Sequence, residues 1–318
     1  VDSGKTRPLG ASGLEVSAIS LGSWRTFEQM SREDGVAVML AARELGINFL
    51  DDARYNDESG AAPIATGYSE VVFGELFRAA GWPRDETVVA NKLWWEFWPD
   101  EDATGELKGS LTRMGLNHVD VIYSLPPPGE LGVKGALEQV ASLLSAGLAR
   151  TWGIANWPAA MLSEASRLVP GLGMPRPVAA QLAYSVVERS PVEDPEMVSA
   201  LRDSGAGVVA SFVLAGGVLT GKYATDPNSG RAAGSLEEPP VARARRAATA
   251  LCALGAELTV SAAALAVAFV LANASVTSAL LGATSPGQLR ETASGASLAG
   301  SLGEADLEKI RAIGAGAA

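Results

Sequence analysis

Histidine and cysteine are almost missing from this chain of 318 residues, where His118 and Cys252 are the single representatives of each type. A lone cysteine forms no intrachain disulfide. A Cys/His zinc site cannot be assembled either, since even a catalytic zinc takes about three protein ligands drawn mainly from these types. Serine hydrolysis would need His118 as its base, and no G-x-S-x-G elbow accompanies it. Basic residues are in deficit, 25 Lys and Arg against 36 Asp and Glu for a net charge of -11. With no basic run, this balance argues against a sequence-independent grip on nucleic acid or anionic lipid, while leaving room for a local phosphate pocket. Long apolar stretches are absent too: Ala262 to Ala272 is the longest and too short to span a bilayer. Val1 to Gly10 carries charge and proline but no apolar h-region of a signal peptide. The expectation is a soluble cytoplasmic protein without membrane insertion.

What is present is ordinary globular composition, 47% apolar and 19% charged, which excludes disorder. Short β-branched or apolar runs alternate with longer amphipathic ones, the pattern of βα units on a parallel sheet. Eight strands are predicted, at Val16 to Leu21, Asn48 to Asp51, Val88 to Lys92, Val119 to Ser124, Trp152 to Ala155, Val178 to Gln181, Gly207 to Ser211 and Val276 to Leu281. Arg32 to Leu45, Glu70 to Ala80, Leu131 to Ala146 and Glu193 to Ser204 repeat apolar residues at three and four and are predicted helices, with Gly46, Gly81 and Gly147 at C-cap positions. Eight units favour a closed α/β barrel of the (β/α)8 TIM type over a doubly wound sheet. Arg7 to Leu9 and Leu14 to Val16, flanking Gly10 to Gly13, read as an N-terminal hairpin covering the barrel floor. No linker splits residues 1–318, so one domain is expected, and Thr225 to Pro240 reads as a loop of the active face.

Catalytic residues of such barrels cluster at the C-terminal ends of strands. There the sequence puts Asp51 with Tyr55 just beyond, Lys92, Asn156 and Gln181. Each has a structural explanation by itself: Asp51 capping a turn, Lys92 pairing at the surface, Tyr55 packing. Together, an ammonium beside a phenol stabilises the phenolate and lowers its pKa, and a carboxylate fixes the ammonium, which makes Tyr55 a proton donor. Metal ligands are not predicted.

The segment Gly216 to Tyr223, GGVLTGKY, nearly matches the P-loop, but Tyr223 stands where that loop needs a magnesium-binding hydroxyl, leaving only Lys222 after a glycine-rich turn as a phosphate ligand. GAGVVA at Gly205 to Ala210 precedes its strand instead of following it and is not a dinucleotide fingerprint. Gly282 to Thr292 leaves the last strand and enters a helix with Ser285 as N-cap and Pro286 at N1, a well-capped helix start that can also receive an anion. Five of the seven tryptophans, Trp24, Trp94, Trp95, Trp98 and Trp157, follow strand C-termini, as an aromatic wall for a flat or ring-shaped substrate such as a sugar would require.

Taken in order, LGSWRTF (Leu21 to Phe27), GINFLDDARY (Gly46 to Tyr55), YSEVVFG (Tyr68 to Gly74), ANKLWW (Ala90 to Trp95), WGIANW (Trp152 to Trp157), LTGKY (Leu219 to Tyr223) and LLGATSPGQL (Leu280 to Leu289) resemble the aldo-keto reductase superfamily over nearly the whole chain. The likeness is greatest to the branch of the voltage-gated potassium-channel β subunits. The resemblance implies an oxidoreductase that binds NADP(H) in extended form and moves hydride between nicotinamide and a carbonyl or secondary alcohol. It implies Tyr55 as general acid, Lys92 lowering its pKa and Asp51 holding Lys92. Asn156 and Gln181 would bind the carboxamide, Lys222 and Arg231 the phosphates, Thr284 and Gln288 the adenosine 2'-phosphate, and Glu291 the adenine region. Ser23, Trp24, Ser211, Phe212, Leu214, Gly216, Gly282 and Thr292 complete the cofactor set by position, while Trp24, Trp94, Trp95, Leu125 and Trp157 would line the substrate pocket.

Four positions depart from that family's pattern. Leu125 occupies the place of the usual catalytic histidine, as the channel-subunit branch also lacks it, and His118 lies seven residues earlier at the strand's other end. Ser211 replaces the aromatic that stacks on nicotinamide, Ala155 a serine, and Thr292 an asparagine. Tyr55 follows Asp51 by four residues where the family has five, and the loop from Asn56 to Gly67 is enlarged, which either repositions the acid or builds a lid. The rival readings are an NADP(H)-loaded regulatory subunit with vestigial catalysis and, more distantly, a phosphate-binding lyase or isomerase using Lys92 as base or Schiff-base amine. The partner expected is a small-molecule carbonyl or alcohol, with a homo-oligomer compatible with the sequence.

Overall fold

A computed structural model describes residues 6–58, 60–228 and 230–317. It begins with an antiparallel hairpin, β1 (Thr6–Pro8) and β2 (Glu15–Ser17), in which Arg7 faces Val16 and the Leu9 amide donates to the Leu14 carbonyl at 2.9 Å. Eight parallel strands follow: β3 (Ile19–Gly22), β4 (Phe49–Asp51), β5 (Val88–Leu93), β6 (Val119–Ser124), β7 (Ala149–Ala155), β8 (Ala179–Ala183), β9 (Gly207–Ser211) and β10 (Val276–Leu281). Each pairs with the next and β10 closes onto both β3 and β9, giving the expected (β/α)8 TIM barrel. The helices are α1 (Arg32–Glu44), α2 (Tyr68–Ala79), α3 (Ala103–Met114), α4 (Gly132–Ser145), α5 (Ala159–Leu168), α6 (Ser190–Glu193), α7 (Pro195–Ser204), α8 (Pro239–Leu258), α9 (Ala262–Ala272), α10 (Pro286–Ala299) and α11 (Glu304–Gly316).

Strands β5 and β6 are buried at every residue because one face meets the barrel interior and the other the helices. Inside, Phe49, Ala90, Val121, Tyr123, Ala179 and Val209 pack against Leu9 and Val16 of the hairpin. The hairpin therefore plugs the floor with apolar side chains, and the inward-facing polar groups Asp51, Lys92 and Gln181 gather at the opposite, C-terminal end. His118 is at the floor side, where its carbonyl accepts from Arg84 at 3.0 Å beside the buried Asp120, which pairs with Arg84 and Arg150. It is remote from the polar strand ends, as expected.

The strand predicted from Trp152 begins at Ala149, the one predicted to end at Gln181 runs to Ala183, and two predicted elements are divided. The run Val16 to Leu21 is divided between β2 and β3, because a continuous apolar stretch carries no sign of the corner at which the chain changes partners. The helix predicted over Glu193 to Ser204 starts anew at Pro195, whose ring keeps Asp194 extended at ψ 135 and separates α6 from α7. Ser285 does cap α10, accepting from the Gln288 amide. Helix α9 is apolar on all sides and is buried against α8, α10 and β10, and among the described residues no single helix is long and apolar enough to cross a membrane.

Candidate active site

Side chains alternate along a strand, so residues at the same level of adjacent strands point together into the barrel mouth. Asp51 ends β4, Lys92 lies near the end of β5 and Gln181 in β8. Lys92 Nζ donates to Asp51 Oδ1, and Gln181 Nε2 donates to the other carboxylate oxygen at 2.9 Å. Lys92 Nζ also lies 3.2 Å from the Tyr55 hydroxyl. Asp51 and Lys92 are almost wholly buried, so their mutual charge compensation is what makes the site tolerable in a dry interior.

The short spacing from Asp51 to Tyr55 does not displace the phenol. A tight turn, with the Tyr55 amide donating to the Ala53 carbonyl at 2.8 Å, brings the ring back over Lys92. The enlarged loop is pinched shut at its base by the Asn56–Thr66 bridge and by the Gly67 amide on the Tyr55 carbonyl at 2.8 Å. Glu58 ties it to Arg25 on the loop after β3, and Asn56 and Glu58 line the cleft. The loop is thus a wall of the mouth.

Electrostatics correct one expectation. Burial, followed by the fields of Asp51, Asp52, Glu28 and Glu70, holds the Tyr55 phenol well above its ordinary pKa, not below it. Burial is the largest cause and outweighs the single ammonium of Lys92, which Asp51 already compensates. Tyr55 is a neutral hydroxyl, the form that gives a proton. Asp52, fully buried, is likewise raised well above the carboxylate range by burial and then by Glu70. Ser23 donates to its Oδ1, and its Oδ2 has no partner among the described residues.

The polar cluster forms one end of a cleft of about 1070 Å³. Along the catalytic end lie Trp24, Asp51, Tyr55, Lys92, Trp94 and Leu125; Asn156, Gln181, Ser211 and Phe212 continue it. Leu214, Gly216, Lys222, Arg231, Gly282, Thr284, Gln288, Glu291 and Thr292 also line it. Thr284 donates to Gln288 through both its amide and its hydroxyl, at 3.0 and 2.9 Å. Arg231 crosses the cleft from the loop before α8: its guanidinium carbon is 4.6 Å from the Trp24 ring centre and it donates to the Trp24 carbonyl at 2.7 Å. Phe212 is half exposed and meets Trp24 edge-on, with ring centres 5.3 Å apart.

Three sequence-derived positions do not line the cleft. Ser23 is buried behind it on Asp52. Trp95 takes φ 61 and donates its indole nitrogen to Ser124 Oγ and the Leu125 carbonyl, so it buttresses β6. Trp157 follows Asn156, whose φ of 56 redirects the chain, and lines a separate groove with Leu182, Pro191 and Met197. Of the five tryptophans proposed as a wall, only Trp24 and Trp94 line the cleft, flanking Tyr55 with ring centres 6.3 and 5.8 Å away.

Other contributors were not foreseen from sequence. Arg54 has a buried side chain that pairs with Glu101 at 2.7 Å and Glu106 at 3.3 Å. Glu106 in turn accepts from the Trp94 and Trp95 amides at 2.7 and 3.3 Å. One network therefore holds the residue before Tyr55 and the backbone of Trp94 together. A Glu four residues after the Asp102 cap is a common helix start, which hides this role.

The donor set fits a dinucleotide. Lys222 and Arg231 line the cleft and form no ion pair with a carboxylate among the described residues, so their charges can meet phosphate there. Gly230 protects that position: at φ 91, a Cβ there would lie 2.7 Å from Lys222 Nζ. The model of the Aldo/keto reductase family matches residues 18–315. A probable voltage-gated potassium channel subunit beta of Oryza sativa subsp. japonica is 31% identical over 320 residues, covering 96% of this chain and 95% of the relative. A protein of the same description from Arabidopsis thaliana is 29% identical with the same coverage. The chain belongs to the aldo/keto reductase family.

Proposed function

We propose that this protein is an NADP(H)-dependent oxidoreductase of the cytoplasm that interconverts a carbonyl and a secondary alcohol, with ring-shaped, sugar-like substrates held between Trp24 and Trp94. The observation that carries the reading is Lys92 Nζ 3.2 Å from the Tyr55 hydroxyl, with Asp51 on the same ammonium, in the wall of a cleft of about 1070 Å³. Family membership supports it. A reduced nicotinamide, when bound, supplies the hydride. Tyr55, held neutral by burial and the surrounding carboxylates, donates its proton to the carbonyl oxygen. Lys92 then faces the phenolate that remains, and Asp51 fixes the ammonium there. Asn156 and Gln181 would hold the carboxamide, Lys222 and Arg231 the phosphates, and Thr284, Gln288 and Glu291 the adenosine end. Leu125 offers no hydrogen bond where a histidine would polarise the carbonyl, a loss of roughly 3 kcal/mol in comparable sites.

A second reading is a cofactor-loaded regulatory subunit with vestigial catalysis. The names of the relatives favour it, as do Leu125 and Ser211. The deciding experiment loads the protein with NADPH and follows nicotinamide absorbance in a single turnover against aldehydes, ketones and keto-sugars. Oxidation abolished by Tyr55→Phe, with NADPH binding unchanged, is expected. Tight binding without oxidation by any carbonyl establishes the subunit reading instead, and failure to bind NADPH overturns both.

A further inference from the structure

Most charged and aromatic side chains at the cleft mouth already have a partner. Asp51 holds Lys92, and Glu58 holds Arg25. The Trp24 ring carries the guanidinium carbons of Arg231 and Arg25 at 4.6 and 5.6 Å, and the Tyr55 ring faces Lys92 Nζ at 5.6 Å. Two groups are left over. Among the described residues no cation lies on the ring of Trp94, and Glu96, two residues further along the same loop, forms no ion pair.

Both line the cleft and both flank the proposed acid. The Trp94 ring centre is 5.8 Å from that of Tyr55, and Asn56, the residue after Tyr55, donates its side-chain amide to Glu96 Oε1 at 2.9 Å. That bond joins the enlarged loop to the loop after β5 and ties the carboxylate to the mouth. Glu96 is exposed, so a substrate can reach it, and its Oε2 accepts no hydrogen bond among the described residues.

An indole beside an uncompensated carboxylate is the chemistry that receives an ammonium, since the ring face attracts a cation by its quadrupole and the carboxylate by its charge. A substrate carboxylate would meet Glu96 as a like charge. The cations nearby do not reverse this: Arg54 is met by both Glu101 and Glu106, while Lys222 and Arg231 are engaged by phosphates in the reading above. Glu291, the other lining carboxylate without a cation, stands on α10 in the proposed adenosine region.

We propose that Trp94 and Glu96 form a cation subsite, so that the carbonyl substrate of this enzyme bears an ammonium group on its non-reacting part and no carboxylate. This rests on the oxidoreductase reading above and names the charge of its substrate. An amino-substituted ring carbonyl fits such a mouth, whereas a keto acid or a uronate is repelled.

The test is a charge series of aldehydes, 4-(trimethylammonio)benzaldehyde, 4-nitrobenzaldehyde and 4-carboxybenzaldehyde, with kcat/KM read from NADPH oxidation by the wild type and Glu96→Gln. The glutamine keeps an acceptor for Asn56 and removes the charge. Differences in the aldehydes' own reactivity cancel when the two proteins are compared. The ratio of cationic to anionic kcat/KM is expected to fall about tenfold in Glu96→Gln, because an attraction and a repulsion of a partly exposed pair are both removed. In the wild type it should shrink as salt is raised from about 0.02 to about 0.5 M. Trp94→Leu should lower the same ratio by removing the ring that faces the cation. Independently of turnover, calorimetry on the protein with and without NADPH should show benzyltrimethylammonium bound about tenfold more tightly than benzoate, a preference lost in Glu96→Gln. An equal ratio in the wild type and Glu96→Gln overturns the proposal, and so does benzoate bound as tightly as benzyltrimethylammonium. If the wild-type protein oxidises NADPH with none of the three aldehydes, the oxidoreductase reading fails, and the calorimetric preference alone decides whether Trp94 and Glu96 hold a cation.

Discussion

Gln181 donates its amide nitrogen to Asp51 Oδ2 at 2.9 Å, joining strands 130 residues apart in sequence. The other oxygen of the same carboxylate receives Lys92. Asp51 thus orients two groups, the ammonium facing Tyr55 and the Gln181 amide in the cleft wall. The proposed proton donor and the proposed carboxamide seat share one anchor.

Replacing that anchor should damage both functions. Asp51→Asn presents an NH2 to either Lys92 or Gln181, both of which are donors. Hydride transfer is expected to fall by roughly 10²-fold, with a several-fold rise in the Kd for NADPH. Removing the charge also leaves Lys92 buried without its partner, a destabilisation of about 3–5 kcal/mol by denaturant titration. Loss of turnover with unchanged NADPH affinity would show that Gln181 is held independently.

The raised pKa of Tyr55 sets a pH dependence. The neutral phenol is the proposed proton donor, and burial and the surrounding carboxylates keep it neutral above the ordinary phenol value of about 10. Carbonyl reduction followed as kcat/KM should therefore show no Tyr55-dependent decline on raising the pH from about 7 towards about 10. A descending limb below that value, absent in a control for enzyme stability, would mean that Lys92 dominates the carboxylates after all.

Asp52 should be a stability liability at neutral pH. Its folded pKa lies well above the unfolded value of about 3.9, so the fold binds the proton more tightly. Its contribution is fully present below the unfolded pKa and is lost as pH rises through the folded one. Asp52→Asn keeps an acceptor for Ser23 and removes the titration. The variant should gain in Tm relative to the parent as pH rises from about 4 to about 8, and an equal Tm difference across that range would refute the assignment.

Gly230→Ala probes the phosphate position without touching the catalytic end. The added methyl meets Lys222 Nζ at 2.7 Å and the backbone is at φ 91, so the side chain must shift or the loop must change. NADPH affinity measured by fluorescence titration should drop about tenfold, roughly one lost charge-assisted hydrogen bond. Hydride transfer at saturating cofactor should be retained. An unaltered Kd would separate Lys222 from the cofactor.

Much of the catalytic end is legible in sequence for a simple reason. Asp51, Lys92 and Gln181 are polar residues that end apolar runs, and a closed barrel can only collect such residues at one mouth. The tryptophans were less legible. Period-two alternation separates Trp94 from Trp95, but the loop geometry after a strand does not follow that period, as φ 61 at Trp95 and φ 56 at Asn156 demonstrate. Arg54 and Glu106 are distant in sequence and pair only because the ends of β4 and β5 are adjacent.

By itself, the sequence determined the alternation of strands and helices, the polar strand ends, and the absence of a histidine donor, all of which are properties of local residue order. Tertiary structure decided which tryptophans face the cleft, where Arg231 crosses it, and that Tyr55 is held neutral. Cleft walls and electrostatic potentials are sums over segments that only folding brings together, and the Tyr55 phenol is held neutral first by burial and then by the acidic groups, Asp51 foremost, that the barrel gathers around it.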